Sequence, residues 1–187
     1  MKKIGLLLLV SLCAISINAQ EFHVEKSDEN LVKFISDAPI EDFEGITSTI
    51  DGYLYFEDGD YTNNSAIYFE VDLRTLDTGI GLRNRHMREN YLETENFPFA
   101  KYSGKIVSTK KLSDNKIEVS VEGEMDVHGV KLPQNITGTI TVNGDVLTIE
   151  SEFIVKLSDH EIEVPSLMFM KIDEDMQLIV SFKLKKV

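Results

Sequence analysis

The residues best suited to chemistry lie in one window, residues 79–104 (GIGLRNRHMRENYLETENFPFAKYSG), where Arg83, Arg85 and Arg88 bring three of the chain's four arginines beside His86. The fourth, Arg74, lies just upstream. A guanidinium grips phosphate or carboxylate in a fork and gives up little solvation, so a cluster of them suits recognition of an anion. Arg85 and Arg88, three residues apart, share a helical face, and Arg83 lies elsewhere. Two uses stay open: ordinary ion pairs to Glu89, Glu93 and Glu95, or contact with an anionic group at the mouth of an apolar cavity.

For catalysis the chain offers little. It has one cysteine, Cys13, and lacks Gly-x-Ser-x-Gly, phosphate-loop and Gly-x-Gly-x-x-Gly motifs. His23, His86, His128 and His160 are far apart, and none has a second histidine at zinc-ligand spacing. The run Asp58-Gly59-Asp60-Tyr61-Thr62 opens like a calcium loop, but the sixth position is not glycine and the twelfth is Phe69, so it reads as a solvated turn. Among 32 acidic residues, pairs such as Glu161 and Glu163 arise by chance. No catalytic residue, metal ligand or cofactor is assigned.

The elements that must position the arginine window are strands. Apolar residues recur with period two in Ile117-Val119-Val121-Gly123-Met125-Val127, and similarly across 50–56, 67–73, 136–142, 147–155 and 176–184, the pattern of strands with one buried and one wet face. Weaker strands are predicted at 31–36 and 99–107, with a short edge at 22–25. Short connections carry turn residues, among them residues 128–133 and Asn143-Gly144-Asp145, where Asn-Gly signals a type I′ hairpin. Consecutive strands are therefore antiparallel neighbours in a sandwich or an up-and-down barrel. Two stretches break the rhythm. Leu73, Leu76, Ile80, Met87 and Tyr91 are spaced for one or two short helices, interrupted near Gly79 and Gly81. Residues 158–175 read as a loop or short helix covering a barrel end.

Residues 1–19 have Lys2 and Lys3 ahead of an apolar run and end in Ile17-Asn18-Ala19, which reads as a secretory signal peptide cleaved near Ala19. The run is shorter than the roughly 20 apolar residues of a membrane span. About 168 residues remain, one domain by length. Without Cys13 the mature chain has no disulfide and depends on its core. Its formal charge goes from −13 to about −15, which argues against nucleic acid and anionic lipid surfaces as partners of the chain as a whole.

Three segments together resemble a known family. Arg83-Asn84-Arg85-His86-Met87, followed by Tyr91-Leu92-Glu93 and Phe97-Pro98-Phe99-Ala100, is similar to the arginine-(Asp/Asn)-x-histidine-leucine motif of the YceI family and the aromatic-Pro segment after it. Residues 123–131, a strand entering a His-Gly turn, resemble that family's second signature, and residues 153–159 with Pro165 and the strand 178–184 its closing segment. The resemblance covers nearly the whole mature chain. It departs in the first third, where the usual tryptophan is absent and Ala38-Pro39-Ile40-Glu41-Asp42-Phe43-Glu44-Gly45 replaces a small-residue segment.

The resemblance implies an all-β, extended antiparallel barrel of about eight strands, lipocalin-like, with one or two short helices between strands, enclosing an apolar tunnel for a long isoprenoid or other amphiphilic lipid. It also implies export to a bacterial periplasm or secretion. On this reading Phe69, Val71, Leu73, Met125, Phe153 and Phe182 form the apolar wall, with Gly52, Gly123 and Gly138 leaving room inside. Arg83, Arg85 and His86 lie nearest the headgroup. Transient contact with a membrane or carrier protein and a homodimer are compatible with it. The rival readings are a structural or protein-interaction barrel with a filled core and, last, an enzyme on lipid or sugar.

Overall fold

The computed structural model describes residues 18–36, 43–164, 166–167 and 170–187. The leader with Cys13, residues 38–42 of the divergent first-third segment, and Pro165 lie outside the described residues.

The strands in chain order are β1 (Ala19–Val24), β2 (Leu31–Ser36), β3 (Phe43–Thr47), β4 (Ile50–Glu57), β5 (Ala66–Asp72), β6 (Phe99–Lys111), β7 (Lys116–Val127), β8 (Val130–Asn143), β9 (Val146–Lys156), the short pair β10 (Ser166–Leu167) and β11 (Met170–Lys171), and β12 (Asp175–Lys186). All pairings are antiparallel, and β1 bonds to both β4 and β12, which closes the sheet into a barrel of eight staves. The first stave is β1 and β2 in line along β12, and the second is β3 and β4. Asn30, 4% exposed, spans the break in the first stave: its amide donates to the Glu25 carbonyl at 2.9 Å, and its side-chain oxygen accepts from the Lys183 N–H at 3.3 Å. The predicted edge at 22–25 is thus an inner stave, because a closed barrel has no edge for it to occupy.

The hairpin turns differ from expectation. The β7–β8 turn has only His128 and Gly129 at its centre, with φ of 53° and 78°, the double positive φ of a type I′ turn. At the β8–β9 turn only Gly144 is positive, at 63°, as in a type II′ turn. Residues 130–133, expected in the connection, already belong to β8. Pro133 is tolerated there because pairing parity aims its nitrogen away from β7 toward β9, and β9 makes no ladder at that level. The β8–β9 ladder runs only from Asn143↔Val146 to Gly138↔Ser151. Beyond it the Ser151 hydroxyl donates to the Thr137 carbonyl at 2.8 Å. A proline at an unladdered edge leaves no N–H unpaired.

Two halves of the interior differ. At the end nearest the β1 start and the β4–β5, β6–β7 and β8–β9 turns, the barrel is filled: Leu54, Phe56, Ile106, Ile140, Leu147 and Leu184 are at most 2% exposed. Phe22 stacks on Phe56 at 5.9 Å and Tyr61 meets Phe56 at 4.4 Å. Phe69 and Phe182, on strands that do not pair, meet edge to face at 4.9 Å across the interior above this plug. The other half is hollow and covered by the two connections that interrupt the strand rhythm.

The first cover comprises a 3-10 turn (Leu73–Thr75), helix α1 (Gly81–His86) and one turn of π-helix (Met87–Tyr91). The break between the helical pieces falls around Gly79, as the sequence predicts. The second cover starts with a 3-10 turn (Leu157–His160) and includes β10 and β11.

Candidate functional site

The hollow half is a cavity of about 690 Å³, within the size range of small-molecule pockets. Its wall comes from alternate residues of the staves, since only every second strand side chain points inward. Phe69, Val71, Leu73, Met125, Phe153 and Phe182, the wall expected from pattern, all line it. Leu76, Ile80, Met87 and Tyr91 line it as well, so the three-and-four spacing noted in the sequence marks the face of the cover turned to the cavity. Sequence reasoning passed over Phe34, Ile136, Ile162, Ile172 and Met176, which also line it. Ile136 and Met176 were legible from strand alternation. Ile162 and Ile172 lie in a connection without periodicity, and nothing in their spacing marks them.

The inward glycines do not leave the room expected of them. A Cβ on Gly123 would meet the Tyr102 ring at 2.6 Å, and one on Gly52 would collide with the Tyr68 carbonyl. The Tyr102 ring takes the space over Gly123, and its hydroxyl donates to the Gln134 carbonyl at 2.9 Å. Burial pushes the Tyr102 phenol up to about 12. Gly138 does border the cavity, although a Cβ there would approach the Glu150 carbonyl to 2.8 Å.

Arg83 and His86 line the cavity at its covered end; Arg85 is exposed and does not. Among the described residues, no ion pair joins these arginines to Glu89, Glu93 or Glu95. The arginines instead hold the loop between the 3-10 turn and α1. Arg83 donates from Nε to the Thr78 hydroxyl at 2.9 Å and from Nη2 to the Thr78 carbonyl at 2.6 Å, with its guanidinium 4.6 Å over the Phe43 ring. Asn84 completes the grip: its side-chain oxygen accepts from the Thr78 N–H at 2.8 Å and the Thr78 hydroxyl at 2.7 Å, and its amide donates to Asp77 at 2.7 Å. Arg88 donates to the Leu76 carbonyl at 2.6 Å. Carbonyls prevail over carboxylates because the loop is buried at Leu76 and Thr78 and its backbone acceptors need donors. The Asn84 amide and the Gly79 N–H hold the Asp77 carboxyl below the usual range.

Phe43 ties β3 to the same place, meeting Phe34 edge to face at 6.1 Å. The ring of Phe34 in turn lies over Gly45, where a Cβ would collide with it.

The His-Gly turn anchors the other side of the cover. His128 packs on Phe97 at 4.5 Å, and its Nδ1 donates to the His160 carbonyl at 3.3 Å. His160, 4% exposed, donates from Nδ1 to the Val130 carbonyl at 3.1 Å. Both rings thus carry the Nδ1 proton, since a carbonyl only accepts. His128 Nε2 is 3.8 Å from a Glu93 carboxylate oxygen. The two histidines join the β7–β8 turn, the turn after β9 and the segment leading into β6.

The sequence profile of the YceI-like domain matches residues 15–184. The chain belongs to the YceI-like family. A search of curated proteins finds no match. Among solved structures, Burkholderia cenocepacia BcnA is similar at a TM-score of 0.71 and 15% identity, over 86% of this chain and 98% of that one. A polyisoprenoid binding domain from Saccharophagus degradans, implicated in plant cell wall breakdown, is similar at 0.67 and 13%, over 92% and 100%. The Campylobacter jejuni YCEI protein is similar at 0.59 and 14%, over 98% and 97%. At these identities the likeness is one of fold. In this YceI-like barrel the arginine motif staples the cover and the His-Gly turn locks its far side.

Proposed function

We propose that this chain is an exported lipid-binding barrel that carries or sequesters a long isoprenoid or similar amphiphile, without a chemical step, in the periplasm or outside the cell. The observation that carries this reading is the apolar cavity of about 690 Å³ above a filled plug, with Arg83 and His86 at its covered end. A slender apolar chain fits the wall, where burial contributes roughly 25 cal/mol per Å² before the costs of binding. A polar or anionic headgroup is left beside Arg83 and His86, with Arg85 further out. The polyisoprenoid binding domain from Saccharophagus degradans, which shares the fold, supports the ligand class. The leader-like first 19 residues support export.

The filled-core alternative draws on the plug alone, which occupies only one half. The enzyme reading has less: among the described residues no carboxylate lines the cavity, and its titratable groups are Arg83, His86, Lys101, Tyr91 and Tyr102. The test is mass spectrometry of organic extracts from protein purified from its own host, with uptake of offered isoprenoid lipids measured in parallel. A co-purifying amphiphile is expected, and Val71→Trp, which fills the wall, should reduce uptake at least tenfold. Protein that yields no amphiphile and takes up none would sink the carrier reading.

A further inference from the structure

Taking the carrier reading as given, we infer that the outer side of the α1 cover is a docking surface for a lipid bilayer, through which the ligand enters and leaves without crossing water. Ile80 and Leu82 are 52% and 57% exposed, yet both also line the cavity. Among the described residues, Ile80 and Leu82 carry the apolar wall from the lumen to the surface. Ile46, 44% exposed on β3, pairs with Asp77 in the loop that leads to Ile80.

Exposed apolar residues scattered singly need no explanation, but a cluster continuous with a cavity wall does. Three half-exposed side chains fall far short of the roughly 1,200 Å² that a stable protein partner or second copy would bury. They suit shallow, reversible insertion at a headgroup boundary.

Charge adds to the contact. Leu82, Arg85 and His86 stand at i, i+3 and i+4 on one helical face, and both basic side chains are exposed with no ion pair among the described residues. Glu89 is the acidic residue of the next turn. The chain carries −13 overall, and the stretch around α1 also holds Asp77, Glu89, Glu93 and Glu95, so Arg85 and His86 offer a lipid phosphate a local contact rather than a positively charged end. The Arg83, Asn84 and Arg88 bonds to the loop hold the patch in place, since they fix the backbone on either side of Ile80.

The test uses geranylgeraniol carrying a fluorescent anthraniloyl ester, preloaded on the full protein, and phosphatidylcholine vesicles that contain a quencher. Docking predicts a transfer rate that rises in proportion to vesicle concentration, whereas release through water gives a rate independent of it. With the rate expressed per loaded protein, Ile80→Ser with Leu82→Ser should lower the vesicle-dependent rate at least tenfold, and Arg85→Glu, at a residue that does not line the cavity, should slow transfer to vesicles containing phosphatidylglycerol more than to phosphatidylcholine alone. A wild-type rate independent of vesicle concentration, or a double variant that transfers as fast as wild type, overturns docking. So does a stable dimer in solution that the same double variant dissolves. Flotation of the unloaded protein with vesicles separates the two ideas: flotation that depends on Leu82 in a protein that binds no probe keeps the docking surface and removes the carrier, and probe binding without flotation or vesicle-dependent transfer does the reverse.

Discussion

Asn84 is the side chain on which the cover most depends. It accepts both the N–H and the hydroxyl of Thr78, which is 7% exposed, and donates to Asp77. Asn84→Ala leaves two buried donors without that acceptor, at a cost of about 2 kcal/mol, or a fall in Tm of roughly 4–8 °C for a chain of this size. Arg85→Ala, on an exposed residue, should move Tm by less than about 2 °C. Thermal denaturation of the two variants checks the difference. Equal shifts would mean that the motif does not act as the staple described.

At the scale of elements, the cover begins where β5 passes into the 3-10 turn, and Asp72 caps that turn. Its carboxylate accepts from the Arg74 N–H at 3.0 Å, Nε at 2.8 Å and Nη2 at 2.7 Å, and Arg74's side chain is the main reason its pKa is lowered. Because the folded pKa lies below the unfolded value of about 3.9, the stability that this carboxylate contributes is fully present above that value and lost as pH falls through the lower folded one. Because Asn keeps the cap and only the charge of a solvent-screened pair is lost, Asp72→Asn should cost less than about 1 kcal/mol at neutral pH, and the Tm gap to wild type should narrow below about pH 4. Tm measured across that range is the check, and a gap unchanged by acid would remove the carboxylate's charge from the account. The β8–β9 divergence belongs to this scale too. Strand alternation showed that both strands exist, but not that they part after Gly138 and Ser151, since period two says which face is wet and nothing about which neighbour is bonded.

Across the whole molecule, one barrel is half core and half vessel. Phe56, 2% exposed in the plug, and Phe153, on the cavity wall, are both inward phenylalanines. Removing the first opens a void in packed surroundings and should cost about 3–5 kcal/mol as Phe56→Ala. Phe153→Ala, whose ring already borders empty space, should cost less than about 2 kcal/mol while lowering lipid affinity. Denaturant titration of both variants decides this, and equal losses would mean that the cavity is packed in solution.

Much of the architecture was open to reading from one chain. Strict alternation along β7, β8, β9 and β12 specifies two-faced strands, and His128-Gly129 and Gly144 mark tight turns, because these patterns reflect local backbone geometry that each segment carries alone. The six wall residues followed from the same parity. Other features required the closed barrel. Only there does the Tyr102 ring fill the space over Gly123, do Phe69 and Phe182 meet across the interior, and does Pro133 face a stretch with no ladder. The arginines show the limit most plainly. Read along the chain they stand near Glu89, Glu93 and Glu95, but folding buries the carbonyls of Leu76 and Thr78 beside them, and a buried carbonyl without a donor costs more than an exposed ion pair returns.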